Sequence, residues 1–205
     1  MSTTAPPASH YHHGNLRQAL LDAAVHELRR KGPDQLSLRA IARAIGVSQT
    51  APYRHFVDKN DLLMELAAQA FDELADVTRT AMVNATSSGD RLYLSGHAYI
   101  DYALGNPEKY RLMLGQYLPV SDNCDRLRCA GDESFNVLLE VIRAGVNSGE
   151  LIDEDPTLLA IHCWTSIHGL ASLLIDERAH CSDMPITQAQ LIDANLRLLG
   201  QRIGR

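Results

Sequence analysis

The stretch Leu36-Ser-Leu-Arg-Ala-Ile-Ala-Arg-Ala-Ile-Gly46-Val-Ser48-Gln-Thr-Ala-Pro52-Tyr-Arg-His-Phe56 decides the fold of the N-terminal region. Leu38, Ile41, Ala42 and Ile45 recur at helical spacing behind Ser37, a candidate cap. Gly46 supplies the left-handed turn that a side chain would resist. A short second helix is expected from about Ser48 to Phe56, and Ile41, Ile45, Val47 and Phe56 close a small core. Ala42 is small where two helices would cross. Two short helices joined by a tight turn make a helix-turn-helix, whose second member is held out toward a major groove.

Outward from this stretch the periodicity stays helical. A helix from Asn15, its candidate cap, to Lys31 carries Leu16, Leu20, Ala23, Ala24 and Leu28 on one face. Arg29, Arg30 and Lys31 suit its C-terminal dipole, and Gly32-Pro33 stops it. Asp58 and Asp61 open a longer helix reaching Ala81. Past Ser87-Ser88-Gly89, read as a loop, helices are expected over 90–105, 107–117, 130–148, 156–177 and 187–203, with an irregular segment at 118–128. Pro107, Pro156 and Pro185 sit at or just before helix starts, where proline is tolerated. Gly149 is a candidate C-cap. No strand periodicity survives. The division expected is a polar arm at 1–14, a helix-turn-helix domain at 15–60 and a helical bundle at 61–205.

The chain has 205 residues, 45% apolar and 21% charged, enough to bury a core without disulfide or metal staples. Its net charge of −6 is unevenly spread. Residues 10–60 hold eight bases against four acids, while 61–205 hold eleven against twenty-one. Such a basic head on an acidic body fits a head that meets a polyanion. The four cysteines, 124, 129, 163 and 181, form no Cys-x-x-Cys pair, so reduced thiols in a cytoplasmic protein are expected. No signal peptide is visible. Leu158–Ile175 carries no formal charge and has the length of a marginal membrane span. Its His162, Thr165, Ser166, His168 and Ser172, with no flanking Lys or Arg cluster, argue instead for a helix buried on most faces.

The string from Leu36 to Ser48, followed by Tyr53-Arg-His-Phe56 and Lys59-x-x-Leu62-Leu63, resembles the TetR/AcrR family of bacterial transcriptional regulators. Tyr11-His-His-Gly-Asn-Leu-Arg17 and Ala51-Pro-Tyr-Arg-His-Phe56 are similar to one branch of it. Trp164-x-x-x-His168-Gly169 resembles that branch's C-terminal domain, often called WHG. The N-terminal resemblance covers about residues 11–66. It implies an all-helical homodimer that binds a double-stranded operator through its first helices. The other helices would bind a small molecule and dimerise through the last two, and most such proteins repress until the ligand arrives.

Carried onto this chain, the DNA-facing residues are Ser48, Gln49, Thr50, Ala51, Pro52, Tyr53, Arg54 and His55, with Arg39 and Lys59. Gln49, Thr50 and Arg54 are candidates for base edges, since Gln suits adenine and Arg guanine. Tyr53, His55, Lys59 and Arg39 are candidates for phosphate, which sets register and affinity. His55 has two alternatives, capping its helix or linking to the next. Many family members have Leu where this chain has Pro52. A proline fits only a first turn, so it should pack inward against the preceding helix.

For the ligand, Tyr93, His97, Tyr102, Tyr110, Met113, Trp164 and His168, with Tyr99 and Tyr117, would line a pocket for a mainly apolar molecule. The alternative for each is plain core packing. Gly169 is expected to admit a close helix, in the pocket or across the dimer. Leu158, Ile161, Thr165 and Ser172, facing Leu191, Ala194, Leu198 and Leu199, form the expected two-fold interface. His10, His12 and His13 match the family opening better than a metal cluster, so no metal or cofactor is expected; the arm could instead touch a minor groove or phosphate. An enzyme using His97, His162, His168 or the cysteines finds no Gly-x-Ser-x-Gly, phosphate loop or metal signature. A sensor that activates transcription, or acts through a protein partner, remains the alternative to a repressor.

Overall fold

The computed structural model describes residues 16–115, 125–178 and 186–205. The expected arm at 1–14, the Asn15 cap, Tyr117, Cys124, Cys181 and Pro185 lie outside them. Among the described residues the fold is all-α, with no strand beyond one isolated bridge between Leu151 and Gly204. It divides into two compact units between Leu62 and Leu63.

In the first unit, α1 (Leu16–Lys31) buries Leu20, Leu21, Ala24 and Leu28, and its closing cations Arg30 and Lys31 pair with Glu27 at 3.0 and 2.8 Å. Gly32, at φ +75°, ends it by donating its N–H to the Leu28 carbonyl at 2.8 Å. α2 (Leu38–Ala44) buries Leu38, Ile41 and Ala42. Ser37 occupies the cap position, but its side chain makes no capping bond, contrary to expectation. Gly46 adopts φ +73°, which returns the Val47 N–H to the Ala42 carbonyl at 3.0 Å. No atom lies within 4 Å of a Cβ built there, so glycine is required for its backbone and not for space.

The helix expected from Ser48 to Phe56 is instead a single 3₁₀ turn, Ala51–Arg54. Pro52 is the physical reason. It has no N–H to give an α-helical ladder and biases Ala51 away from helical backbone. The turn tightens around the Pro52 carbonyl, which accepts from His55 N at 2.9 Å and Phe56 N at 3.0 Å. α3 (Lys59–Ala81) begins with reciprocal caps: Asp58 accepts from Asp61 N at 2.9 Å, and Asp61 from Val57 N at 2.8 Å.

The second unit holds the remainder of α3 with α4 (Ser88–Gly105), α5 (Pro107–Leu114), α6 (Asp125–Ser148), α7 (Pro156–Ile175) and α8 (Gln188–Ile203). α4 starts inside the expected loop because Ser87 caps it, accepting from Asp90 N at 3.1 Å. α6 starts five residues before its expected 130, so 125–128 are helical and not irregular. Asp155 caps α7, and Thr187 with Gln190 forms a full capping box on α8.

α4 packs against α6, α7 and α8 at once. Leu92, Leu139, Ile142, Leu151, Ala160, Cys163 and Ile203 make a core cluster there. Two glycines permit the close crossings. A Cβ on Gly96 would sit 2.5 Å from Leu196 Cδ2, and one on Gly145 would sit 2.6 Å from Leu151. Gly169 does not do this among the described residues, since a Cβ there meets none of them within 4 Å. α7 alone among the described helices is long and apolar enough to cross a membrane. It buries one side, with Ala160, Cys163 and Ala171 fully enclosed. The expected burial on most faces is not seen, because Leu158, Ile161, Thr165 and Leu173 are exposed.

Candidate nucleic-acid interface and ligand cavity

The first unit presents a polar string on a stiff support. Pro52 is fully buried, wedged where the 3₁₀ turn meets α2, and Phe56 is buried beside it. Around this anchor Ser48, Gln49, Thr50, Tyr53, Arg54 and His55 are exposed, as is Arg39 on α2. Ser48 and Thr50 share a hydrogen bond at 3.2 Å between their hydroxyls. His55 caps the turn through its backbone N–H and leaves its imidazole exposed. Arg17 lies over the Phe56 ring at 5.3 Å.

Three members of the expected DNA-facing set are less open than the rest: Ala51 and Lys59 are half-buried, and Pro52 is buried, as its expected inward packing requires. Pro52 faces inward and offers nothing to a groove. Lys59 is half-buried, and its Nζ donates to the carbonyls of Pro33 at 3.2 Å and Asp34 at 3.3 Å. Those carbonyls lie in the turn after α1, where Pro33 O also accepts from Leu36 N at 3.3 Å, so the ammonium adds to the closure of that turn.

The second unit encloses a cavity of about 320 Å³. α3 contributes Phe71, Leu74 and Thr78; α4 contributes Ser95, Gly96 and Tyr99; α5 contributes Leu114. α6 lines the longest side with Gly131, Ser134, Phe135, Val137 and Leu138, and α7 closes it with Trp164 and Ile167. Among the described residues no Asp, Glu, Lys, Arg or His lies on these walls. Phe135 meets Trp164 edge to face at 6.3 Å. The Thr78 hydroxyl donates to Leu74 O at 2.8 Å and the Ser95 hydroxyl to Leu92 O at 3.2 Å, so both are spent on their own helices.

Of the expected ligand residues Tyr99 and Trp164 are on the wall. Tyr110 and His168 stand behind it. The hydroxyls of Tyr99 and Tyr110 lie 3.0 Å apart, and Tyr110 Oη lies 2.7 Å from His168 Nδ1. Trp164 stacks on His168 with 5.7 Å between ring centroids. Burial pushes both phenols upward and holds His168 below the ordinary histidine value. Tyr102 is buried elsewhere and donates to Glu73 at 2.9 Å; Glu73 also takes Lys109 at 2.7 Å. Met113 is buried in the core. Tyr93 and His97 do share a face, with rings 4.8 Å apart, but that face turns to α8. There Tyr93 donates to Asp193, which Arg197 holds at 2.9 Å. Helical spacing correctly pairs these residues, but spacing does not fix which neighbour the face meets.

The walls that residue type did not single out are Phe71, Leu74, Thr78, Ser95, Gly131, Ser134, Phe135 and Leu138. A signal exists for α6: Gly131, Ser134, Phe135 and Leu138 follow helical spacing, with two small residues among bulky ones. Small residues on an otherwise apolar stripe leave volume unfilled.

The expected interface residues are open in the single chain. Leu158 and Leu198 are each 60% exposed. Ile161, Thr165 and Ala194 are also exposed, and Ser172, Leu191 and Leu199 are half-buried. Among the described residues no group of three or more His, Cys, Asp or Glu side chains could hold a metal.

Residues 92–199 match the model of the tetracyclin repressor-like C-terminal domain, and residues 20–66 match that of the bacterial regulatory proteins of the tetR family. A transcriptional regulator of the helix-turn-helix type from Haemophilus influenzae is 32% identical over 99 residues, 48% of each chain. One from Mycobacterium tuberculosis is 30% identical over 139 residues, 64% of this chain and 59% of its own. The chain thus spans about half the length of the curated relatives it matches. Over its full length it is similar in structure to a protein of unknown function from Rhodococcus sp. RHA1. That pair has a TM-score of 0.84 and 28% identity, covering 97% of this chain and all of the other.

Proposed function

Since the chain belongs to the TetR family of DNA-binding, non-catalytic bacterial regulators, we propose that it is a ligand-responsive repressor that grips a palindromic operator as a homodimer. The carrying observation is that α3 starts at Lys59 in the basic unit and continues as the Phe71–Thr78 wall of the cavity. One helix thus carries residues of both units.

Gln49, Thr50 and Arg54 read base edges, while Arg39, Tyr53 and His55 hold phosphate. Lys59 serves by closing the turn after α1. The two open stripes, Leu158, Ile161, Thr165 and Ser172 on α7 and Leu191, Ala194 and Leu198 on α8, meet their copies across a two-fold axis. An operator with half-sites about 34–36 Å apart, one turn of B-DNA, is what two such 3₁₀ turns would read. The Trp164, His168 and Gly169 pattern supports the branch with the WHG-type domain. Ligand binding favours the form whose spacing no longer matches, and repression ends.

Selection of binding sites from fragmented genomic DNA with the purified protein tests this reading. One enriched inverted repeat supports it, and a repeat overlapping a promoter supports repression. A repeat placed upstream of the promoter favours an activator instead. Absence of any enrichment from ligand-free protein rejects operator binding.

A further inference from the structure

The described cavity walls hold no charge, and the Thr78 and Ser95 hydroxyls give their protons to their own backbones, so neither has a proton to offer a ligand. A charged molecule would lose its hydration there with no counterion among the described wall residues. One wall residue differs from the rest. Tyr99 is joined through its hydroxyl to Tyr110, and through Tyr110 to His168. Tyr110 and His168 face a second hollow with Arg111 and Asp176, which pair with each other at 2.9 Å. The hydrogen-bonded chain therefore runs from the cavity wall to a polar boundary.

The direction of that chain follows from acid–base chemistry. A neutral imidazole nitrogen is a better acceptor than a phenol oxygen, and Nδ1 lies 2.7 Å from Tyr110. Tyr110 thus donates to His168, and Tyr99 donates to Tyr110. Each phenol has one proton, so Tyr99 Oη has none left for another partner; the Trp164 indole N–H also faces this oxygen, and the lone-pair capacity that remains is what a ligand donor can meet. A tyrosine in this state accepts and cannot donate.

We propose that the cavity selects an uncharged, ring-bearing molecule with one hydrogen-bond donor, such as a phenol, and that Tyr99 Oη is the acceptor it meets. Tyr110 and His168 are positioning residues that fix the direction of the Tyr99 proton. This rests on the cavity being the ligand site. Aromatic walls from Phe71, Phe135 and Trp164 take the ring.

The test uses the chain's single tryptophan, Trp164, which lies on the cavity wall and reports binding by its fluorescence. The probes are 4-butylphenol, 4-butylanisole, butylbenzene and 4-butylbenzoate. The phenol is expected to bind roughly tenfold tighter than the anisole, about 1.4 kcal/mol, with the benzoate weakest. Tyr99→Phe and Tyr110→Phe are expected to remove the preference while butylbenzene affinity is kept, which shows that the cavity remains folded. Ser134→Ala, Thr78→Val and Ser95→Ala should each retain it, since these are the rival hydroxyls on the wall. Equal binding of phenol and anisole, preference for the benzoate, or transfer of the effect to Ser134, Thr78 or Ser95 overturns the inference and leaves the cavity reading standing. No binding of any probe overturns both.

Discussion

The ammonium of Lys59 and the carbonyl oxygen of Pro33 lie 3.2 Å apart, joining the start of α3 to the turn that follows α1. This contact changes what a substitution should do. Lys59→Met is expected to weaken binding to every DNA sequence by loosening the head, while the slope of log affinity against log salt stays the same. Arg39→Ala removes an exposed cation and is expected to lower that slope by about 0.9, one phosphate contact. Salt titrations of both variants check the contrast, and a slope change for Lys59→Met would return it to the phosphate.

Gly145 and Gly169 should respond oppositely to alanine. At Gly145 the new methyl meets Leu151 at 2.6 Å and Ser88 Cβ at 2.9 Å, so about 1–3 kcal/mol of stability should be lost. At Gly169 none of the described residues lies within 4 Å, and alanine gains helix propensity of roughly 1 kcal/mol. Thermal unfolding compares the two. A cost at Gly169 that depends on protein concentration would place that glycine in the dimer contact.

The exposed stripes predict where the dimer parts. Leu158→Glu and Leu198→Glu each place a charge on an exposed apolar position, so the folded chain should tolerate them. Sedimentation is expected to show monomers with unchanged helical content. Dimers that persist in the double variant would contradict this interface.

His168 carries a pH dependence. Burial lowers its pKa below the ordinary 6.5, so the folded chain favours the neutral ring. In the window between the folded value and 6.5 the unfolded chain binds more protons, and stability rises with pH. The contribution is full above about 6.5 and falls away on acidification toward the folded pKa. Denaturant unfolding at stepped pH should show this, with a flatter profile for His168→Gln. An identical profile in the variant would assign the loss to other groups.

Much of the fold is legible in the sequence because it rests on local chemistry. Gly46 and Gly149 at positive φ, Pro107 and Pro156 at helix starts, and Asp58 with Asp61 each act within a few residues. The 3₁₀ turn was hidden because its helical pattern survives in the apolar positions, while Pro52 removes the hydrogen bond that pattern needs. The cavity was harder to read. Tyr93 and Tyr102 look like pocket aromatics by residue type, yet Asp193 and Glu73, distant in sequence, claim their hydroxyls. Tyr99 differs from them only in its partners, Tyr110 and His168, which no spacing rule connects. The carbonyl partners of Lys59 are illegible for the same reason, since they lie 25 and 26 residues away.

The most direct test is equilibrium binding of the purified ligand-free protein to its selected repeat and to scrambled DNA of equal length, at one fixed salt. The predicted result is at least about a thousandfold preference for the repeat, lowered by Arg54→Ala through a gain on near-cognate sites, and lowered little by Tyr53→Ala, which weakens both DNAs alike. Equal affinity for repeat and scrambled DNA would contradict the account.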